Sequence, residues 1–410
     1  MISYTLYGDT LKILLLGIGV ATRGCSRLLT DLGINHTICE IKDLKEYEYD
    51  IIVKSPGISF NDEVFNDLKG EVISDIEMVY RLKKPFIIAV TGSNGKTTIC
   101  SMLYHVLKKE NNVVVCGNIG YSFADAVLDN PDCGMFIVEC SSYQLEGVRL
   151  FSPDIAVISN IVPHHLKHHL TFRDYVESKL NIAKELSASK AFIYNLDISY
   201  IDKRHYECSC IRFSTKSTAG EFYLIKNNIM YGGKRIFHLK KRFRCNHTIE
   251  NIMAVAAVLN ELDMMRLIKG INSFKGVKYR LERIGKGIYN DAKSTNSNAT
   301  NSALLNLKDV HLICGGFEND ALISLSEMAL NNIKYVYAYG ETKDRLMDYF
   351  EHHGIFCDTY NTLAEALNSV MKFKEKRDVV LYSPMCPSFD QYESYIKRGE
   401  EFESLIKNKK

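Results

Sequence analysis

Phe86-Ile87-Ile88-Ala89-Val90-Thr91-Gly92-Ser93-Asn94-Gly95-Lys96-Thr97-Thr98 is an apolar run that breaks into a glycine-containing turn. Its first five residues have the length and apolarity of a buried parallel strand. Beyond the turn, Ile99, Met102, Leu103, Val106 and Leu107 recur at helical spacing, so the turn feeds a helix N-terminus. That geometry aims unpaired backbone N–H groups and the positive helix end at an anion. Gly92 and Gly95 let the backbone approach phosphate oxygens, while Ser93, Asn94 and Thr98 complete the cradle. Lys96 adds a charge and the Thr97 hydroxyl can reach Mg²⁺. The general phosphate-loop pattern wants Gly at position 90, where this chain has Val. The segment nevertheless predicts a nucleoside triphosphate site.

On either side the chain alternates strand and helix signals, which predicts an α/β protein of doubly wound sheets. Leu11–Gly19 reads as a strand entering a glycine turn, and Tyr49–Val53 as a strand ending at Ser55-Pro56-Gly57. Gly17-Ile18-Gly19 lacks the third glycine of a dinucleotide fingerprint, so NAD is not indicated. Strands are expected at 113–116, 135–138, 155–159 and 191–194, then at 310–314, 335–339 and 379–382. Residues 208–239 hold short β-like runs expected to add a small antiparallel piece, and 247–262 reads as a helix. The division this suggests is three domains in series. They are a Rossmann-like N-terminal domain at 1–84, a central P-loop mononucleotide-binding ATPase domain at 85–276, and a Rossmann-like C-terminal domain at 277–410.

Composition narrows the function classes. The 410 residues are 46% hydrophobic and 24% charged, ordinary for a folded chain of this length. A net charge of +2 makes no electrostatic case for nucleic acid. No apolar segment reaches membrane-spanning length. The 12 cysteines contain no CxxC pair, and with no secretory leader they read as reduced thiols of a cytoplasmic protein.

Three further runs carry chemistry. Glu139 begins Glu139-Cys140-Ser141-Ser142-Tyr143-Gln144-Leu145-Glu146 just after a strand, where a carboxylate can hold the nucleotide's Mg²⁺. His164, His165, His168 and His169 crowd one short stretch. No acid or cysteine near them in sequence completes a zinc shell, so a role near the triphosphate is preferred. Arg280 and Lys293, beside Asp291, are candidate cations for a transferring phosphoryl group.

Together these motifs resemble the Mur ligases of bacterial cell-wall synthesis, specifically members that add D-glutamate. The resemblance rests on Thr91–Thr98, on Glu139–Glu146, on Asp291-Ala292-Lys293-Ser294-Thr295-Asn296, and on Ser383-Pro384-Met385-Cys386-Pro387-Ser388-Phe389-Asp390-Gln391. It implies an ATP-dependent ligase joining D-glutamate to UDP-N-acetylmuramoyl-L-alanine through an acyl phosphate, acting as a monomer. Ser55 and Asn118 would bind the UDP-sugar; Asn251, Arg280 and Asp291 would contact ATP. Thr97, Glu139 and His165 would hold Mg²⁺, joined by Lys179 once carbamylated by CO₂. Lys96, His165, Lys179 and Lys293 would be catalytic, and Thr295, Ser388, Phe389 and Tyr395 would surround D-glutamate with Lys293. The family's Asp-His-Leu-Asp-Arg-His stands here as His164-His165-Leu166-Lys167-His168-His169. Asn319 occupies the place of a cation that holds the glutamate side chain. Two alternatives remain open: a Mur or folylpolyglutamate-type ligase using another amino acid, and a degenerate member that binds nucleotide without catalysis.

Overall fold

The computed structural model describes residues 11–118, 121–163, 166–198, 200–201, 205–243, 246–318 and 323–408. It forms two compact units, Met1–Lys275 and Gly276–Lys410.

The first unit opens with a four-stranded parallel sheet of β1 (Ile13–Leu16), β2 (Thr37–Cys39), β3 (Glu48–Lys54) and β4 (Lys69–Ile73), ordered β2-β1-β3-β4. A nine-stranded sheet follows. Its strands are β5 (Ile87–Thr91), β6 (Val113–Gly117), β7 (Met135–Glu139), β8 (Ile155–Ile158), β9 (Ala191–Asn195), β10 (Ser209–Ser214), β11 (Phe222–Ile225), β12 (Asn228–Tyr231) and β13 (Lys234–His238). Their order is β13-β12-β11-β10-β9-β8-β5-β7-β6. The central strands β5, β7, β8 and β9 are buried along their whole length, as unbroken apolar runs with neighbours on both sides require. β5 has β8 on one side and β7 on the other, and its onward connection runs toward β6 while that of β8 runs toward β9. The carboxyl end of β5 is therefore a switch point, where open α/β sheets bind ligands.

Both sheets share one core. The helices Val20–Asp31 and Asp75–Lys83 pack on the helix Phe123–Asp129, joining Leu28, Leu29 and Val79 to Phe123 and Phe136. Glu77, fully buried, fastens this junction. Its carboxylate accepts bonds from the backbone N–H groups of Arg149, Leu150 and Phe151 and from Arg81 Nε at 2.6 Å.

The expected antiparallel piece at 208–239 is only partly so. β10 and β11 continue the parallel sheet beside β9, and only the β11–β12 and β12–β13 pairings are antiparallel, so that β12 alone runs against the rest. Short β-like runs reveal strand propensity but not direction, which depends on the crossover between strands.

The second unit is a six-stranded sheet of β14 (Glu282–Gly285), β15 (Ile288–Asn290), β16 (Val310–Gly315), β17 (Ile333–Tyr339), β18 (Cys357–Tyr360) and β19 (Val379–Tyr382). The order is β14-β15-β19-β16-β17-β18, with only β14 antiparallel. Because β16 and β19 are neighbours, the turns after them lie side by side: Gly315 N–H donates to Pro384 O and Phe317 N–H to Pro387 O. No helix among the described residues is long and apolar enough to cross a membrane.

Candidate active site

The phosphate loop leaves β5 and enters the helix Lys96–Leu107, whose apolar positions Ile99, Met102, Leu103, Val106 and Leu107 are buried as their spacing predicts. Gly95 caps this helix at φ +87°, and a Cβ there would run into Asn251 Oδ1, so glycine is required twice over. Asn251, expected near ATP, is thus brought against the loop from the helix Asn246–Glu261.

The turn after β8 braces the loop's other side. Asn160 accepts from Ser93 N–H through its backbone carbonyl at 2.8 Å and from Asn94 N–H through its side chain at 2.9 Å. Ser159 Oγ donates to Asn94 O, and Ser93 Oγ meets both Val162 O and the Tyr175 hydroxyl. Sequence reasoning gave Ser159 no role, since a lone serine after a strand carries no signal.

Two lysines converge on this loop. Lys96 Nζ donates to Gly92 O at 2.7 Å and to Ser93 O at 3.2 Å. Lys179 Nζ, on the helix Phe172–Leu180, donates to the same Gly92 carbonyl at 3.0 Å. Lys179 is almost entirely buried, and its ammonium is pushed well below the ordinary lysine range by that burial first and by the Lys96 charge second. Cys140 and Glu139 pull weakly the other way.

Glu139 ends β7, paired in register with Val90 of β5 and Gly117 of β6. One carboxylate oxygen accepts from Asn118 Nδ2 at 3.0 Å. The other, Oε2, is buried without a hydrogen-bond partner. A buried carboxylate oxygen left open beside a phosphate loop fits a divalent cation held together with Thr97, which is buried in the first turn of the helix that the loop enters. His165, the other expected ligand, lies outside the described residues.

In the first sheet, Ser55 follows β3 and packs against the glycine turn after β1. A Cβ on Gly17, which sits at φ +86°, would come within 2.8 Å of Ser55 Cβ.

In the second unit Arg280 is exposed between Tyr279 and Leu281, two non-glycine residues at φ +61° and +45°. Asp291 holds this strained turn: it accepts from Leu281 N–H, from Ser294 Oγ at 2.6 Å and from Ser383 Oγ at 2.7 Å. Its carboxylate is buried and committed to its own chain, a positioning arrangement for Arg280. Lys293 is tied through its backbone N–H to Tyr279 O, and Thr295 is half-buried beside it in sequence. Across the sheet, Ser388 is buried, Phe389 is exposed with its ring edge-on to Phe317, and Tyr395 starts the helix Tyr395–Lys407. Asn319 lies outside the described residues. One residue unites these loops and was not foreseen. Arg398, fully buried, donates to Pro387 O, Ala292 O and Cys386 O at 3.0, 3.1 and 2.7 Å, bracing the turn at 291–296 against the turn at 383–391.

Comparison with known proteins gives this geometry a context. Residues 90–259 match the Mur ligase middle domain. The chain is 30% identical to the UDP-N-acetylmuramoylalanine–D-glutamate ligase of Staphylococcus saprophyticus, with 95% of each chain covered. It is 31% identical to the ligase of the same name from Listeria monocytogenes, over 89% of this chain and 84% of that one. Among solved structures it resembles Thermotoga maritima MurF ligase in complex with ADP, at TM-score 0.60 and 18% identity, covering 90% and 97% of the two chains. The alanine ligase MurC from the same organism gives TM-score 0.60 at 17% identity, covering 98% and 100%.

Proposed function

The chain belongs to the Mur ligase family, and we propose that it joins D-glutamate to UDP-N-acetylmuramoyl-L-alanine, using ATP, in peptidoglycan precursor synthesis. The observation that carries the reading is the convergence of Lys96 and buried Lys179 on the Gly92 carbonyl, beside the open oxygen of Glu139. Full-length similarity to D-glutamate ligases supports the choice of amino acid.

In this reading residues 1–84 bind the UDP-sugar at Ser55, with Asn118 of the following segment. Residues 85–276 bind ATP through Gly92–Thr98 and Asn251, and residues 277–410 supply Arg280, Lys293, Thr295, Ser388, Phe389 and Tyr395. A carboxylate is a poor acyl donor, so it is first phosphorylated; the amine of D-glutamate then displaces phosphate from the acyl phosphate. Lys96 and Lys293 neutralise charge on the phosphoryl group, and the loop N–H groups hold it in line. Mg²⁺, held by Thr97, Glu139 and His165, would screen the triphosphate. Burial shifts Lys179 toward its neutral amine, the form that adds to CO₂ with release of a proton. The product, a carbamate, is a carboxylate-like oxygen donor where an ammonium would repel the metal. Arg398 keeps the two amino-acid loops in register.

Phosphate release measured with ATP and UDP-N-acetylmuramoyl-L-alanine tests the reading. It is expected to require D-glutamate. Equal release with other amino acids would favour the alternative ligase, a reading that Asn319 in place of a cation makes specific. ATP binding without release under any combination would favour a non-catalytic member.

A further inference from the structure

The histidine-rich stretch finds in the fold the acid it lacks in sequence. Glu146, just after the short helix Ser142–Leu145, faces His168 and His169 of the helix Leu166–His169. His168 Nε2 lies 2.9 Å from Glu146 Oε2, and His169 Nδ1 lies 2.7 Å from Glu146 Oε1. The three donor atoms are all within 4.8 Å of one another. His169 is only 3% exposed, and its Nδ1 is buried without the alignment of a hydrogen bond despite the short approach. Its other ring nitrogen meets Ser142 Oγ at 2.9 Å, the kind of outer bond that fixes a ligating imidazole. The Tyr143 ring, 4.0 Å from that of His168 between centroids, closes one side.

We propose that Glu146, His168 and His169 form a binding site for a divalent transition-metal ion of the zinc class. Two imidazoles and one carboxylate are a zinc-type donor set, whereas Mg²⁺ prefers oxygen ligands throughout. The site shares no residue with the proposed Mg²⁺ ligands Thr97, Glu139, His165 and Lys179. A bound ion would tie the turn after β8, which braces the phosphate loop, to the segment after β7.

The test uses the full chain, reduced, stripped with a chelator and saturated with Mg²⁺. Zn²⁺ is then titrated against a chromophoric indicator, and Co²⁺ is used separately for its visible d–d absorption. The native chain is expected to bind one equivalent more than His168→Arg, or to bind it roughly tenfold or more tightly. The corresponding Co²⁺ bands should vanish in that variant. His168→Arg places a side chain opposite Glu146 that can pair with it but cannot ligate a metal, and Glu146→Gln serves as a second variant should the first fail to fold. Zinc bound equally by native and variant chains, as scattered cysteines would produce, overturns the proposal. So does the absence of zinc binding, which would leave the cluster a set of side-chain contacts alone.

Discussion

Gly95→Ala separates the backbone strain of the phosphate loop from its function. At φ +87° an L-residue costs about 1–2 kcal/mol relative to glycine. The added Cβ also points at Asn251 Oδ1, a buried side chain on a well-packed helix. Either Asn251 or the loop must move, and a displacement of about 1 Å at a phosphoryl-transfer site costs on the order of 100-fold in rate. The expected result is a loss of about 1–2 kcal/mol in denaturant unfolding together with a fall of about 100-fold in kcat/KM for ATP, per folded molecule. Gly233→Ala is the control. It lies at φ +74° in the turn between β12 and β13 with nothing within 4 Å, so it should lose similar stability and no activity. If Gly95→Ala behaves like Gly233→Ala, with ATP kinetics intact, the loop is not where the nucleotide binds.

Other perturbations probe the frame and the site. Glu77→Ala strands three backbone N–H groups and takes the partner of Arg81 Nε, while Glu71 still pairs with that guanidinium, so at about 1–3 kcal/mol for each stranded N–H it should cost about 3–5 kcal/mol in urea or guanidinium unfolding; a loss below about 1 kcal/mol would show that the junction does not depend on it. Lys54 is buried with its ammonium on Ile58 O at 2.9 Å, and burial lowers its pKa to about 8 against the pull of Glu146 and Asp75. Between that value and the ordinary one near 10.5 the unfolded chain binds more protons, so this lysine's contribution to stability falls as pH drops through the window. Below it the penalty is complete, at about 3 kcal/mol. Lys54→Met should therefore gain on the native chain by about that amount between pH 10.5 and 7, and parallel stability curves would contradict the assignment. Lys179→Ala should lose turnover that excess bicarbonate cannot restore and small carboxylates restore in part; full activity would remove the carbamate from the account.

What was legible in the sequence was local. The phosphate loop, β5 and its helix announce themselves because the strand, turn and helical spacing occupy one continuous stretch, Phe86–Leu107. β4 and β18 were not anticipated, since Lys69-Gly-Glu-Val-Ile and Cys357-Asp-Thr-Tyr are short, polar edge strands without an apolar run. The direction of β10 and β11 was hidden for a different reason: pairing is a tertiary property that a residue pattern does not carry. The same limit governed the site. Glu146 reaches His168 across 22 residues, so a search along the histidine run could not find its acid. Arg398 reads as one more charge on an amphipathic C-terminal helix until Pro387, Ala292 and Cys386 are seen to offer it their carbonyls.

The central claim is that phosphate is transferred from ATP to a carboxylate before the amide forms. It is tested most directly by labelling the alanyl carboxylate of UDP-N-acetylmuramoyl-L-alanine with ¹⁸O and following the oxygen through one turnover with ATP and D-glutamate. An acyl phosphate requires one labelled oxygen to leave with inorganic phosphate while the other stays in the new amide. Phosphate free of label, formed alongside amide product, would contradict the account.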